Sequence, residues 1–327
     1  LVEQPFAIPV VVVRRYLAFD HCRYNGETIP DALAERMKPH VRYRTVWPAA
    51  EIELGAGRRP SRVVAAGCQP RLIQSDTGVG ITSRTTEYVE GFFRSLGPVD
   101  GFVLKNRSPS CGINDVRAYS EDGKGAGKWR GSGFFGGAVT QRFSHLAVEN
   151  EGRLRNHRIR HHFPTRLLTL AAFRQVRESG QAKDLLQPQA RNKLLLMAYS
   201  QTELRVLGRL AAHQERRPLS ELVLDYEHHL QSALSRPARC TSRINVMQHG
   251  LGHFSKQPAQ AEKRHFVQTL ERYRESKVPS STLTGLAAGR VVRFQQPYLM
   301  EQKMFQPCLD NLVDGTDSGK EQACSGE

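Results

Sequence analysis

Cys111 lies in the run Lys105-Asn106-Arg107-Ser108-Pro109-Ser110-Cys111-Gly112. A thiolate is both a soft metal ligand and a nucleophile, and the nearby Lys105 and Arg107 favour that ionised form. Glycine after the cysteine lets the backbone approach a ligand closely. From residue types alone, Cys111 is the first functional candidate. Two other stretches gather reactive side chains. The stretch 14–26 carries Arg14, Arg15, Tyr16, Cys22 and Arg23, and 47–55 carries Trp47, Glu51 and Glu53.

The elements that position these stretches are legible. Pro9 to Val13 is a continuous β-branched run, as in a strand buried on both faces. Val41 to Val46 alternates and reads as a second strand, and Val99 to Leu104 as a third. Thr82 to Leu96 has apolar or aromatic residues at 88, 89, 92, 93 and 96, which is helical spacing, and Gly97-Pro98 ends it. Phe134 to Phe143 is a helix entered through Gly131-Ser132-Gly133. This alternation predicts a three-layer α/β domain with a parallel sheet over 1–150. Ligand sites in such sheets lie in loops at the carboxyl ends of strands, here 14–26, 47–55 and 105–112. The Gly131 to Gly137 cluster lacks a preceding strand signal, so it reads as close packing or a backbone approach to the site rather than a dinucleotide fingerprint.

Beyond residue 157 the strand signals vanish. Phe163–Val176, Leu185–His213, Pro218–Leu234, Thr241–Phe254, Ala259–Tyr273 and Leu283–Met304 read as helices. The expected organisation is the α/β domain over 1–150, a basic linker and helix over 151–185, and an all-α domain over 186–310. A disordered tail follows over 311–327, where Asp, Gly, Ser and Glu are frequent.

The net charge is +15, and the second half carries +10 of it. That balance points to a polyanion, nucleic acid first. Between Gly152 and Arg177 stand seven arginines, Arg153, Arg158 and Arg160 among them, three histidines and no acid. Arginine forks suit phosphate oxygens, so this segment could track a nucleic-acid backbone. The competing reading pairs several of them with acids of the first domain. The six cysteines show no CxxC pair and no regular spacing, which indicates neither a zinc ribbon nor a disulfide framework. No apolar run approaches the roughly 20 residues of a membrane span, and Arg14 and Arg15 end the longest one. A cytoplasmic protein without membrane partners is the expectation.

The runs 22–26 (Cys-Arg-Tyr-Asn-Gly), Pro48 to Gly55 and 105–112 resemble the thiouracil desulfidase (TudS-like) family. The second half resembles a YbgA-like all-α domain, through Lys193 to Ala198, Asn245 to His249, Glu262-Lys263 and Tyr298-Leu299. The resemblance covers about residues 8–310. It implies a [4Fe-4S] cluster held by three loop cysteines, with an open iron that takes the sulfur of a thiolated pyrimidine before water replaces it. Thiouracil, thiouridine nucleotides or thiouridine in RNA, including tRNA, are the implied substrates. Of the three ligand positions, Cys111 keeps its cysteine, while Tyr16 and Trp47 stand at the other two. Cys22 matches a further family cysteine. Within this frame Cys111 and Cys22 are the candidate metal ligands. Glu51 is a candidate to activate water, and Ser108 and Ser110 to hydrogen-bond a pyrimidine edge or cap backbone groups. Arg23, Lys105, Arg153, Arg158 and Arg160 are candidates for substrate phosphate. The competing function is a cluster-free relative that binds nucleotides or RNA, with Tyr16 and Trp47 stacking on a base.

Overall fold

The computed structural model describes residues 6–17, 32–48, 52, 60–66, 69–120, 129–212, 218–253, 258–308 and 312. The chain divides into two units, Ile8–Arg155 and Asn156–Glu327, and Leu1–Ala7 belongs with the second.

The first unit contains strands β1 (Val10–Arg14), β2 (Arg42–Val46), β3 (Ser61–Ala66), β4 (Gln69–Gln74), β5 (Gly101–Leu104), β6 (Val116–Ser120), β7 (Trp129–Gly131) and β8 (Ala147–Asn150). Its helices are α1 (Ala32–Met37), α2 (Thr82–Ser95) and α3 (Phe134–Arg142). The parallel sheet expected from the valine run is present, in the order β2-β1-β5-β8, with every pairing parallel. Val11, Val12 and Val13 are wholly buried, the reason this strand reads as continuous rather than alternating. Val12, Val46, Phe102 and Leu104 share one core with Val89 and Phe93 of α2 and with Phe135 and Val139 of α3. Phe93 meets Phe135 and Phe143 at centroid separations of 5.8 and 5.2 Å. Thr85, Val89 and Phe93, four residues apart, form the buried stripe of α2.

A second sheet, in the order β4-β3-β6-β7, was not expected from sequence. It is mixed, since β3 runs antiparallel to β4 and parallel to β6, and β6 runs antiparallel to β7. Strands β4, β6 and β7 are broken up by arginine, proline, glutamine or serine, whereas β3 does hold an apolar run, Val63 to Ala66, that the sequence reading passed over. Strand β7 also supplies the strand that the Gly131-Ser132-Gly133 reading found missing.

The second unit is helical: α4 (His157–Ser179), α5 (Leu186–Arg191), α6 (Lys193–Tyr199), α7 (Gln201–Ala212), α8 (Leu219–Ala233), α9 (Cys240–Gly252), α10 (Gln260–Arg274), α11 (Ser280–Phe294) and α12 (Pro297–Met300). Two long helices expected from periodicity are broken. The 185–213 stretch is interrupted at Asn192 and again at Ser200, whose backbone is extended. The 283–304 stretch stops at Gln295, which is left-handed (φ 45°), before Pro297. Gln296, directly before that proline, is extended (ψ 108°), since the ring drives the preceding residue out of the helical region, and periodicity does not register that. Helix α4 begins earlier than its apolar pattern does, because Asn156 caps it by accepting a hydrogen bond from the Ile159 amide at 3.2 Å. Its Leu170 and Phe173 enter the same core as Leu207, Leu222 and Tyr226.

Gly289, within α11, has open space around a built Cβ. Gly289→Ala is therefore expected to stabilise the helical unit by about 0.5–1 kcal/mol, read by urea or thermal unfolding. Unchanged or lower stability would mean that this face of α11 is covered.

Candidate nucleotide site at the strand ends

The Ser108 to Gly112 loop leaves the carboxyl end of β5, and Arg14 ends the neighbouring strand β1. The two meet there. The Arg14 guanidinium donates to Ser110 Oγ at 2.8 Å and reaches Cys111 Sγ at 2.5 Å. Arg14 and Cys111 are almost wholly buried, so charge and sulfur face each other in a low-dielectric setting. Ser108 Oγ lies 3.2 Å from Ser110 Oγ and accepts from the Cys111 amide at 3.2 Å. The serines thus set the shape of the turn, the capping alternative of the sequence reading.

Helix α3 closes the loop from the other side. The amides of Gly133 and Phe135 donate to Gly112 O and Ser110 O, each at 2.8 Å, and the Gly136 amide donates to Ser110 O at 3.0 Å. A Cβ on Gly133 would lie 2.6 Å from the Ser110 carbonyl carbon, and one on Gly136 would lie 2.5 Å from the Cys111 oxygen. These glycines serve the backbone approach expected of them. Since backbone atoms cannot swing aside, Gly136→Ala should cost about 1–3 kcal/mol despite alanine's better helix propensity. Denaturant unfolding of the first unit checks this, and a gain in stability would contradict it.

Lys105, a phosphate candidate from sequence, is otherwise engaged. Its ammonium pairs with the Glu151 carboxylate and bonds Asn106 Oδ1 at 2.5 Å. Glu151 Oε2 also accepts from the Asn106 amide at 2.8 Å. This pair ties the loop after β5 to the turn after β8. The arginine-rich segment is no open basic stripe either. Arg153 pairs with Glu149 at 2.7 Å, as the competing reading had it. Arg160 and Arg166 are buried, and Arg158 donates to Ala238 O at 3.5 Å. Arg174 and Arg177 pair with Glu178 and Glu227 at 3.1 and 3.0 Å. Cys22, Arg23, Glu51, Glu53 and Cys68 lie outside the described residues, as does the side chain of Tyr16.

Among the described residues the donor set does not fit a [4Fe-4S] cluster. Trp47, at the second ligand position, offers iron no lone pair, and the Arg15 guanidinium lies 5.6 Å from its ring centroid. The remaining thiol, Cys111, has a cation against its sulfur, where an electropositive iron would have to sit. Among the described residues no three His, Cys, Asp or Glu side chains converge. Cys111 and Cys308 form no disulfide, and Cys240 is disulfide-bonded.

A cationic groove adjoins the loop, and sequence reading missed it. It encloses about 630 Å³ between Arg62, Arg107, Arg117, Ser61, Ser75 and Tyr119, with Pro109 of the cysteine loop in its wall. Register explains how it forms. Arg117 of β6 stands opposite Arg130 of β7, and Arg62 of β3 lies one step before the Val63–Ala118 pair of β3 and β6. Three arginines therefore occupy one row across three adjacent strands about 4.8 Å apart. None of them forms an ion pair among the described residues, and like charges placed opposite one another destabilise a sheet. Arg107 adds a fourth cation from a left-handed backbone (φ 53°), a strained state for a residue with a Cβ. The signal in the sequence was one arginine in each of three weak strands, which only pairing aligns.

No helix of the described residues is long and apolar enough to cross a membrane. Residues 11–151 match the 2-thiouracil desulfurase family, and residues 193–308 match a protein family of unknown function, DUF1722. The uncharacterized protein YbgA of Escherichia coli strain K12 is 29% identical over 117 residues, which is 35% of this chain and 69% of YbgA. The solved structure of the [4Fe-4S]-dependent thiouracil desulfidase TudS aligns with 45% of this chain and 93% of its own, at 22% identity and a TM-score of 0.34. By the two family matches, the chain carries a TudS-like domain followed by a YbgA-like domain.

Proposed function

We propose that the first unit is a cluster-free relative of the desulfidases that binds a pyrimidine nucleotide, free or within RNA, in the cytoplasm. The observation that carries this is the row of Arg62, Arg117 and Arg130 beside the cysteine loop, with Arg107 at its edge. A row of like charges is costly unless a polyanion answers it. Trp47, which follows β2 of the parallel sheet, is the aromatic on which the base would rest, since base–aromatic stacking is worth roughly 1–3 kcal/mol. The family match favours a pyrimidine, thiolated or not. In the family the cluster supplies a Lewis acid for the thiocarbonyl sulfur. Arg14 and the two serines instead offer hydrogen bonds around Cys111, and no desulfurisation step follows from them.

The test is equilibrium binding of uridine monophosphate, its 4-thio analogue and oligo-uridine at several salt concentrations. Binding of all three is expected. For oligo-uridine, the slope of log K against log salt should fall by about 0.7 for each phosphate contact removed in Arg62→Gln, Arg117→Gln or Arg130→Gln. Salt-independent binding, or variants that bind like the parent, would refute the reading. Conversion of the thio-nucleotide to the oxo form by iron-loaded protein would restore the desulfidase reading.

A further inference from the structure

The helical unit contains a cavity of about 110 Å³, well away from the cysteine loop in sequence and built from its own residues. Phe6, Ala7, Leu168, Ala172, Pro188 and Pro307 make most of its wall apolar. Among the described residues its charged lining is Arg191 and Lys303, both cationic. Two like charges in one small cavity repel, so their placement needs a cause. The buried Gln302, next to Lys303 in sequence, supplies it. Its Oε1 accepts from the Leu194 amide at 3.1 Å and its Nε2 donates to Ala190 O at 2.9 Å. The segment that carries Lys303 is thereby fixed to the junction of α5 and α6, where Arg191 stands.

Neither cation is well satisfied. Arg191 Nε is buried with no hydrogen-bond partner among the described residues, and the Glu301 carboxylate is 4.0 Å away and half exposed. The Lys303 ammonium rests 4.1 Å from the Phe6 ring centroid. Burial, with the Arg191 charge second, pushes Lys303 down to about 8. Among the described residues no anion lines the cavity, and apolar space lies beside the two cations.

We infer that this cavity binds a small organic carboxylate, its anionic head between Arg191 and Lys303 and its hydrocarbon part against Phe6, Leu168 and Ala172. Size sets the class. A cavity of about 150 Å³ accommodates benzene, so this one suits a carboxylic acid of three or four carbons. Inorganic phosphate would leave the apolar wall uncovered, and a nucleotide would not fit.

The experiment titrates the full chain with propionate and butyrate by calorimetry at pH 8, at constant ionic strength made up with chloride. Phosphate serves as the comparison. Saturable binding of the carboxylates, at about millimolar affinity or tighter for so few atoms, is expected. Arg191→Gln and Lys303→Gln should each weaken it at least tenfold. A second readout covers variants that fold poorly. An anion beside Lys303 favours its charged form, so binding at pH 8 should take up protons, and the heat should depend on the ionisation enthalpy of the buffer. Arg191 and Glu301 are the other charged groups near it among the described residues. Lys303→Arg should keep the binding and lose the buffer dependence. Equal response to phosphate and carboxylate, no saturation in the parent, or unchanged affinity in well-folded Lys303→Gln would overturn the inference.

Discussion

Lys105→Ala is expected to destabilise the first unit by about 3–5 kcal/mol. The Glu151 side chain it pairs with is 5% exposed, and that of Lys105 is 17% exposed. Removing one member of a buried ion pair leaves an uncompensated charge out of water, which costs far more than the intact pair contributes. The loss should appear in urea unfolding as an earlier transition for the first unit, with the transition of the helical unit unchanged. Pairing Lys105→Met with Glu151→Gln removes both charges and should recover much of the loss. This outcome separates a structural from a ligand-binding lysine. If Lys105→Ala stayed within about 1 kcal/mol of the parent and instead abolished nucleotide binding, the lysine would be a phosphate group after all.

Acid should destabilise the helical unit through two histidines of α4. His162 is pushed down to about 3, first by burial and then by the charges of Arg166, Arg243 and Arg158. His161 is lowered well below its ordinary value, again by burial first and then by Arg243. Tyr199 bonds His162 Nδ1 at 3.0 Å and is itself pushed up to about 12, mainly by burial. A histidine in the unfolded chain titrates near 6.5. Below that pH the unfolded chain takes protons that the folded one refuses. The stability held by neutral His161 and His162 is therefore complete above about pH 6.5 and falls as the solution is acidified towards about 3. At pH 5 the loss from His162 alone is about 2 kcal/mol. Urea unfolding between pH 7.5 and 4.5 should show the decline, and His162→Gln should flatten it. Parallel profiles for parent and variant would contradict this account.

The sequence made the parallel sheet legible because strands buried on both faces must be apolar at every position, as Val11 to Val13 are. It made α2, α8, α9 and α10 legible because each keeps one apolar stripe. Strands β4, β6 and β7 escaped because their partners, not their composition, make them strands, while β3 was passed over although Val63 to Ala66 is an apolar run. The same is true of the arginine row, which depends on register alone. The cysteine loop was found from residue type, and its surroundings were then assigned to near neighbours in sequence. In the fold, Lys105 turns to Glu151, while Arg14, 97 residues before Cys111, reaches its sulfur. Arginine at the end of a buried valine strand was the available clue, since a buried charge must find polar partners nearby. For the 153–177 arginines two readings were open, phosphate contact and pairing with acids, because charge density alone does not tell exposure: Arg160 and Arg166 are buried, and Arg153, Arg174 and Arg177 have carboxylate partners.

The central claim is that the cysteine loop survives here without a cluster. Iron and acid-labile sulfide per chain, measured after anaerobic purification and reconstitution, test it most directly. The arrangement of Arg14 on Cys111, with tryptophan and tyrosine at the other two positions, predicts well under one iron per chain and no broad absorption near 400 nm. About four irons and four sulfides per chain, with that absorption, would contradict the account and show that other side chains complete the cluster.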